Sequence, residues 1–209
     1  QHTAHFYQTE VEKLLIAGKV PFFVGGDHAV TIPVVEALHV LGEPIHIIQL
    51  DAHPDLYEEY EGNYYSHACT VARILEMEHV ATVTQIGIRT MNPAQEKIWH
   101  KYRDRLHLIS AREIVEEIPN LEQIPKTASI YLTLDLDVFD PAFVPGVSHP
   151  VPGGLSPRQV LNFIQNLQGR LVGMDVVELN SERDINQQTA ILAARLLHEA
   201  MGFVVLSRD

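Results

Sequence analysis

Two aspartates and a histidine alternate in the short stretch Asp51-Ala52-His53-Pro54-Asp55, directly after the apolar run 45–50. Alternate residues of an extended chain share one face, so the three side chains can converge, and Pro54 keeps His53 out of the helical region. Packed together, two carboxylates and an imidazole would repel one another or be costly to desolvate unless a positive charge lies among them. A metal ion is the natural candidate.

Polar side chains also follow three further apolar runs of the chain: Asp27 with His28, Asp135 with Asp137, and Glu178. In open α/β sheets, ligands bind at the carboxyl ends of the strands. Each cluster alone has an ordinary structural explanation, as a helix cap, a solvated loop or a surface acid. Their joint occurrence at one edge of a sheet indicates a site.

Six of these residues can donate nitrogen or oxygen to a metal: His28, Asp51, His53, Asp55, Asp135 and Asp137. Six donors are more than one ion needs, but they fit two ions bridged by carboxylates. Carboxylate-dominated ligation without thiolate favours Mn²⁺ over a structural zinc. Two ions about 3.5 Å apart can share a water and hold it for attack on an electrophilic carbon, so the site predicts hydrolysis.

Strand-like runs alternate with helical periodicity along the chain. Helices are predicted at 8–17, 31–41, 67–78, 93–107, 111–118, 157–167 and 189–201. Strands are predicted at 20–24, 45–50, 82–88, 106–110, 129–134 and 171–179, and 203–206 is either a last strand or a frayed tail. Because several strands are apolar on both faces, the pattern predicts a three-layer α/β/α fold with a mostly parallel sheet. Residues 1–209 are predicted to form a single domain.

The composition narrows the class of partner. Fifteen Lys and Arg against 27 Asp and Glu give a net charge of -12, which argues against nucleic acid and favours cationic ligands or metals. On composition alone, an acidic surface that keeps the protein soluble by repulsion explains the same charge at least as well. A single cysteine, Cys69, suits a reducing compartment. No apolar stretch approaches the ~20 residues that span a bilayer, so we expect no membrane contact and a cytoplasmic location.

Four motifs resemble the signatures of the ureohydrolases, the superfamily that contains arginase and agmatinase. They are Gly25-Gly26-Asp27-His28, Asp51 to Asp55 with Ser66-His67, Asp135 to Pro141, and Pro145-Gly146 through Pro152-Gly153-Gly154. The resemblance runs in order from Gly25 to Glu178 and implies an arginase-like fold. Family members usually carry further strands before the first motif, so the domain is expected to lack these N-terminal strands. Whether this short form is natural or a fragment is left open.

The resemblance implies two Mn²⁺ ions per chain. One ion would be held by His28, Asp51, Asp55 and Asp135, and the other by Asp51, His53, Asp135 and Asp137, with Asp51 and Asp135 as bridges. A metal-bridging hydroxide would attack the guanidinium carbon of the substrate. The resulting tetrahedral intermediate would collapse to urea and an amine.

The resemblance also implies roles for residues around the ions. Glu178 would grip the guanidinium group through paired hydrogen bonds. Asp55 would pass a proton to the leaving amine, and His67 would bind substrate and shuttle protons at the mouth of the site. We interpret Asp27 and Asp140 as turn-forming residues or as residues that orient the ligands.

The substrate is expected to be a small cationic guanidino compound. The loop 56–63 carries three glutamates and no basic residue, so a cationic tail is favoured over an anionic one. This favours agmatine over arginine, with putrescine as the product and polyamine biosynthesis as the context. The stretch from Asp51 to Cys69 also resembles agmatinases. A solvated surface loop explains the same glutamates equally well.

Several alternatives stay open at this point. Within the family they are arginase and other guanidino-acid amidinohydrolases such as guanidinobutyrase. Outside it they are the zinc deacetylase branch that shares the fold and a non-catalytic metal-binding fragment or regulatory subunit. The resemblance implies a homo-oligomer, either a trimer or a hexamer.

Overall fold

In the described part of the chain, six parallel strands form one central sheet. The computed structural model describes residues 2–206, and its strands are Phe22–Val24 (β1), Ile45–Leu50 (β2), Val80–Ile88 (β3), Leu106–Ser110 (β4), Ser129–Asp135 (β5) and Arg170–Val177 (β6). Their order across the sheet is β1-β6-β5-β2-β3-β4. Every neighbouring pair is parallel. The inner strands β2, β5 and β6 are buried almost throughout, as expected for a parallel sheet that is covered on both faces.

Within residues 2–206, six α-helices cover the two faces of this sheet. They are His2–Ile16 (α1), Thr31–Ala37 (α2), Thr70–Ile74 (α3), Pro93–Lys101 (α4), Pro157–Gln165 (α5) and Gln188–Leu206 (α6). Ile45 and Ile47 of β2 share an apolar cluster with α1 to α4, whereas Ile48 and Leu50 share one with α5 and α6. The central strand therefore faces a helical layer on each side. This confirms the predicted three-layer α/β/α fold.

The strand order brings the four polar clusters of the sequence together. β1, β6, β5 and β2 are adjacent in the sheet, and each leads directly into one cluster. Because the strands are parallel, their carboxyl ends lie at the same edge. Clusters that are up to 150 residues apart along the chain are therefore neighbours in space.

The turn after β1 depends on two consecutive glycines. Gly25 and Gly26 have φ angles of +90° and +81°, in the left-handed region that L-residues with a Cβ rarely adopt. A Cβ on Gly26 would lie 2.7 Å from Cγ1 of Val30, whereas a Cβ on Gly25 would meet open space. The carboxylate of Asp27 then accepts the N–H of Ala29 at 3.1 Å, as predicted for a turn-forming residue.

Several predicted helices are shorter than expected. The helix predicted at 67–78 is a 3-10 turn at His67–Cys69 followed by an α-helix only at Thr70–Ile74, and the helix predicted at 31–41 becomes a 3-10 helix after Ala37. The helix predicted at 111–118 is wrong beyond a 3-10 turn at Ala111–Glu113. The chain after that turn is irregular although Ile114 and Ile118 are buried, and the proline at 119 disfavours a helical conformation at the residue before it. The helix predicted at 93–107 ends at Lys101, where the chain turns into β4.

The last helix is longer than expected. α6 continues through 203–206, where the sequence predicted a strand or a frayed tail. Its 19 residues are long and apolar enough to cross a membrane, contrary to the expectation that the chain has no such stretch. Ala193, Leu196 and Ala200 of this helix are nevertheless buried in the apolar cluster against the sheet. A core helix of an α/β protein meets the same criteria of length and composition.

Alanine substitutions at the two glycines test the account of the turn after β1. Gly25→Ala is expected to lower the free energy of unfolding by about 1 kcal/mol, the usual penalty of a left-handed Cβ. Gly26→Ala is expected to cost about 2–3 kcal/mol, because overpacking against Val30 adds to that penalty. Urea unfolding followed by circular dichroism measures both. An equal or larger loss in Gly25→Ala would contradict the account.

Candidate metal centre and active site

Asp51 is the centre of the site and is held by two hydrogen bonds. It follows β2 and is 1% exposed. Its Oδ1 accepts the backbone N–H of His53 at 2.6 Å, and its Oδ2 accepts the side-chain N–H of Gln49 at 2.6 Å. Both carboxylate oxygens are therefore oriented by the chain that carries them.

The stretch after Asp51 bends, so it converges in a different way from that expected of an extended chain. Residues 52 and 53 form a bend, and Asp55 has a φ of +49°, which is unusual for a residue with a Cβ. The carbonyl of Asp55 accepts the N–H groups of Val71 and Ala72 at 3.1 and 3.2 Å. The first turn of α3 thus holds Asp55 in this strained conformation.

His28 meets three carboxylates at the base of the site. Its Nδ1 lies 3.1 Å from Asp51 Oδ2, 3.0 Å from Asp55 Oδ2 and 3.4 Å from Asp135 Oδ2. Nevertheless this buried nitrogen makes no hydrogen bond of acceptable geometry with the described residues. Donor atoms of His28, Asp51 and Asp135 all lie within 4.8 Å of one another. One nitrogen facing three acceptor oxygens is the arrangement that a bound cation would satisfy.

A second group of donors lies beside the first and shares Asp51 with it. Donor atoms of Asp51, His53 and Asp137 also lie within 4.8 Å of one another. His53 Nδ1 is 2.8 Å from Asp137 Oδ2, while Asp137 Oδ1 accepts the N–H of Ala52 at 3.0 Å. Asp135 belongs to the first group, and its predicted contact with a second ion stays a prediction. The two groups together can hold two neighbouring cations.

Crowding shifts the titration of these residues. Burial and the negative charge of Asp51 raise the pKa of Asp55 to about 7. Burial also raises the pKa values of Asp135 and Asp137. Burial alone would lower the pKa of His53, but hydrogen bonds with Asp137 and Asp51 raise it to about 11. The crowding of carboxylates thus favours the protonated forms of Asp55 and His53.

The donor groups line a cavity of about 490 Å³, which is within the usual size range of small-molecule sites. Glu178, at the end of β6, is on the wall of this cavity and has a left-handed φ of +67°. Its Oε1 accepts the backbone N–H of His28 at 2.8 Å, and its own N–H donates to the carbonyl of Gly26 at 3.0 Å. The turn after β1 therefore fixes the direction of this carboxylate.

His67 lines the same cavity, and its neighbour there was missed in the sequence analysis. The ring of His149 is nearly parallel to that of His67, with centroids 5.7 Å apart, and lies 6.3 Å from the ring of His53. His149 belongs to the proline- and glycine-rich loop 141–154, where a lone histidine was the only sign of a functional residue in the sequence.

Asp140 anchors this loop by accepting N–H groups within it, at Ala142 and Gly153, consistent with a turn-forming role.

Arg89 was also missed, although it is the only lysine or arginine among the described residues that line this cavity. Its guanidinium donates hydrogen bonds to backbone carbonyls, including those of Asp137 at 2.7 Å and Val151 at 2.7 Å. Arg89 therefore connects two parts of the chain after β5, the segment that carries the metal donor Asp137 and the loop at Val151. A single arginine after a strand carries no signal of that role in the sequence.

Ion binding is expected to release the protons that occupy the metal-free site. Affinity for Mn²⁺ should rise with pH by up to about tenfold per pH unit for each proton released, because protons and ions compete for the same atoms. The rise should be steepest below about pH 7, where Asp55 is also protonated, and should continue more gently above pH 7, because the pKa of His53 is about 11. Calorimetric titration in two buffers of different ionisation enthalpy measures the Kd and the proton release. An affinity that is independent of pH, with no proton release, would contradict this expectation.

Comparison with known proteins agrees with these motifs. Residues 2–202 match the arginase family. The chain is 45% identical over 184 residues to arginase 1, mitochondrial, of Arabidopsis thaliana, covering 86% of this chain and 53% of that protein. It is 37% identical over 198 residues to N(1)-aminopropylagmatine ureohydrolase of Thermus thermophilus, covering 92% of this chain and 65% of that protein.

The fold agrees as well. The solved structure of arginase from Medicago truncatula matches with a TM-score of 0.86 and 38% identity, covering 96% of this chain and 64% of that one. The chain thus spans about half the length of the Arabidopsis protein and about two thirds of the other two. Since the family match extends over most of the chain, this chain belongs to the arginase family of ureohydrolases.

Proposed function

We propose that the site hydrolyses the guanidinium group of a small cationic guanidino compound to urea and an amine. The observation that carries the proposal is the pair of His/Asp groups that share Asp51, at a cavity that Glu178 also lines. Paired metal ions suit the attack of water on a carbon, and a fixed carboxylate suits a planar cation. Membership of the arginase family supports the same class of reaction.

We propose Mn²⁺ as the resident ion, with two ions per chain. The unsatisfied Nδ1 of His28 fits a cation, and oxygen-rich donors without thiolate favour Mn²⁺ among the divalent ions. One ion would be held by His28, Asp51, Asp55 and Asp135, and the other by Asp51, His53, Asp135 and Asp137. When bound, the ions would lower the pKa of water and stabilise developing negative charge.

In this proposal Glu178 binds and orients the substrate. Its Oε1 is held by the N–H of His28, so the carboxylate has a fixed direction before any substrate enters. Among the described residues no donor contacts its other oxygen. That oxygen is available for charge-assisted hydrogen bonds from the planar N–H groups of a guanidinium. The guanidinium carbon would then face the donors at the base of the cavity.

In the same proposal, Asp55 and His67 transfer protons, and Tyr57 and Tyr60 limit the access of water to the cavity. Asp55, whose Oδ2 is 3.0 Å from His28 Nδ1, is at the base of the cavity, where it would give a proton to the leaving nitrogen. His67 would carry protons between the cavity and solvent. Tyr57 and Tyr60, with ring centroids 5.3 Å apart, line the cavity and would limit the entry of water.

We propose agmatine as the substrate, with putrescine and urea as the products. The cavity is rich in carboxylates, and the hydrogen bonds of Arg89 are directed to backbone carbonyls, which leaves this cation poorly placed to bind an anionic tail. The glutamates of loop 56–63 contribute less than the sequence suggested. Their side chains are exposed, and Tyr57 and Tyr60 are among the loop residues that line the cavity instead.

Arginine is the second candidate substrate. The chain is 45% identical over 184 residues to a protein named arginase, which favours an amino-acid substrate. His149 gives this alternative a physical basis, because an exposed imidazole beside the cavity can donate an N–H to a carboxylate. The two substrates differ only in the carboxylate of the tail, so one assay separates them.

A panel of guanidino compounds tests the proposed reaction. With added Mn²⁺, urea release is expected to be fastest with agmatine, slower with arginine and slowest with 4-guanidinobutyrate, because an anionic tail meets the carboxylates of the cavity. A colorimetric urea assay with each compound measures the order. Faster release from arginine would favour the second candidate, and no urea from any of the three would sink the proposal.

Replacing Glu178 tests its role in substrate binding. Glu178→Gln keeps an acceptor for the N–H of His28 but removes the charge, so kcat/KM is expected to fall at least about a hundredfold, or about 2.7 kcal/mol. Metal content, measured by plasma emission, should not change. The exposed Glu182→Gln is the matched control and should retain full activity. An active Glu178→Gln enzyme would rule out the proposed role.

A further inference from the structure

Buried polar side chains form a row across the sheet. On β2 and β5 this row lies two residues before the metal donors Asp51 and Asp135. Asp175 of β6, Thr133 of β5, Gln49 of β2 and Gln85 of β3 are register partners on adjacent strands. Each is at most 1% exposed. Polar groups at this depth in a parallel sheet destabilise it unless they are hydrogen-bonded, so the row indicates a purpose other than packing.

Part of the row connects directly to His28. The Nε2 of His28 lies 2.9 Å from Oγ1 of Thr133, and that hydroxyl donates to Oδ1 of Asp175 at 2.6 Å. The other oxygen of Asp175 accepts the hydroxyls of Tyr131 at 2.6 Å and Thr31 at 3.0 Å. Asp175 therefore directs Oδ1 at Thr133, while the other two donors satisfy Oδ2.

If Nδ1 of His28 binds a cation, the hydrogen bonds from His28 through Thr133 to Asp175 can be donated in only one direction. Nδ1 faces the carboxylates of the first donor group, so an ion there needs the lone pair of this nitrogen. A neutral imidazole then carries its proton on Nε2. Nε2–H donates to the hydroxyl of Thr133, and the proton of that hydroxyl is directed to Asp175. Both oxygens of Asp175 accept hydroxyl protons, from Thr133 on one side and from Tyr131 and Thr31 on the other, so this residue is the acceptor at the end of the chain of hydrogen bonds.

We propose that Asp175, acting through Thr133, is a positioning residue that holds His28 with Nδ1 free to bind the metal. The inference rests on the proposed metal site and adds two residues that contact neither substrate nor ion. Partners of this kind fix the tautomer and the ring orientation of a metal-binding histidine, and their loss commonly weakens metal binding about 10–100-fold. The purpose of this part of the row is thus to prepare the first donor group for its ion.

Three substitutions separate positioning from general stability. Thr133→Val removes the hydroxyl at similar volume, Thr133→Ser restores it, and Tyr131→Phe removes a different hydroxyl from the same carboxylate without touching His28. Asp175→Asn is combined with Thr133→Val to test whether the two residues act through each other. Thr133→Ala replaces Thr133→Val if the latter fails to fold, as judged by circular dichroism.

Calorimetric titration of the metal-free proteins with Mn²⁺ measures the outcome. In Thr133→Val, one of two sites is expected to weaken about 10–100-fold while the other is unchanged. Thr133→Ser and Tyr131→Phe should stay within about threefold of the parent, and Asp175→Asn should add no loss in the Thr133→Val background. Unchanged affinity in Thr133→Val, or an equal loss in Tyr131→Phe, would overturn the inference alone. Failure of the parent chain to bind Mn²⁺ would instead overturn the proposed function.

Discussion

Four buried carboxylates and two imidazoles meet at the edge where β1, β6, β5 and β2 end, and their mutual repulsion must be balanced there. None of the carboxylates is more than 5% exposed, so water cannot solvate their charge. The raised pKa values of Asp55 and Asp135 and the raised pKa of His53 are consequences of this confinement. Protons can balance the charge in part, and two metal ions can balance it in full. The surrounding structure keeps the donors together despite that repulsion.

Strained backbone is one means of holding the donors. Asp55 and Glu178 both have left-handed φ angles, a conformation that costs about 1–2 kcal/mol for a residue with a Cβ. In each case neighbouring segments fix the conformation through backbone hydrogen bonds, from the start of α3 to Asp55 and from Glu178 to the carbonyl of Gly26. A strained backbone conformation that is held in place by several neighbouring contacts is typical of functional sites. The polar row beneath the donors is a second means, because Gln49 fixes Asp51 as Thr133 fixes His28.

The sequence predicted the part of this arrangement that follows from strand ends. Apolar runs followed by Asp or His were sufficient to place His28, Asp51 and Asp135 at one edge, because parallel strands all end on the same side. It could not predict the bend that turns Asp55 inward, since that depends on hydrogen bonds with α3. His149 and Asp175 were missed because their partners are distant in the chain. A polar residue two positions before a donor, as at Gln49 and Thr133, is the signal that could have indicated the supporting row.

The central claim is that the donors form one site for two ions that share Asp51. The most direct measurement is diffraction at the manganese absorption edge from crystals of this chain grown with Mn²⁺. The account predicts two anomalous peaks about 3.5 Å apart, one beside His28 and one beside His53, with the Asp51 carboxylate between them. A single peak, or peaks that do not contact Asp51 at saturating Mn²⁺, would contradict it.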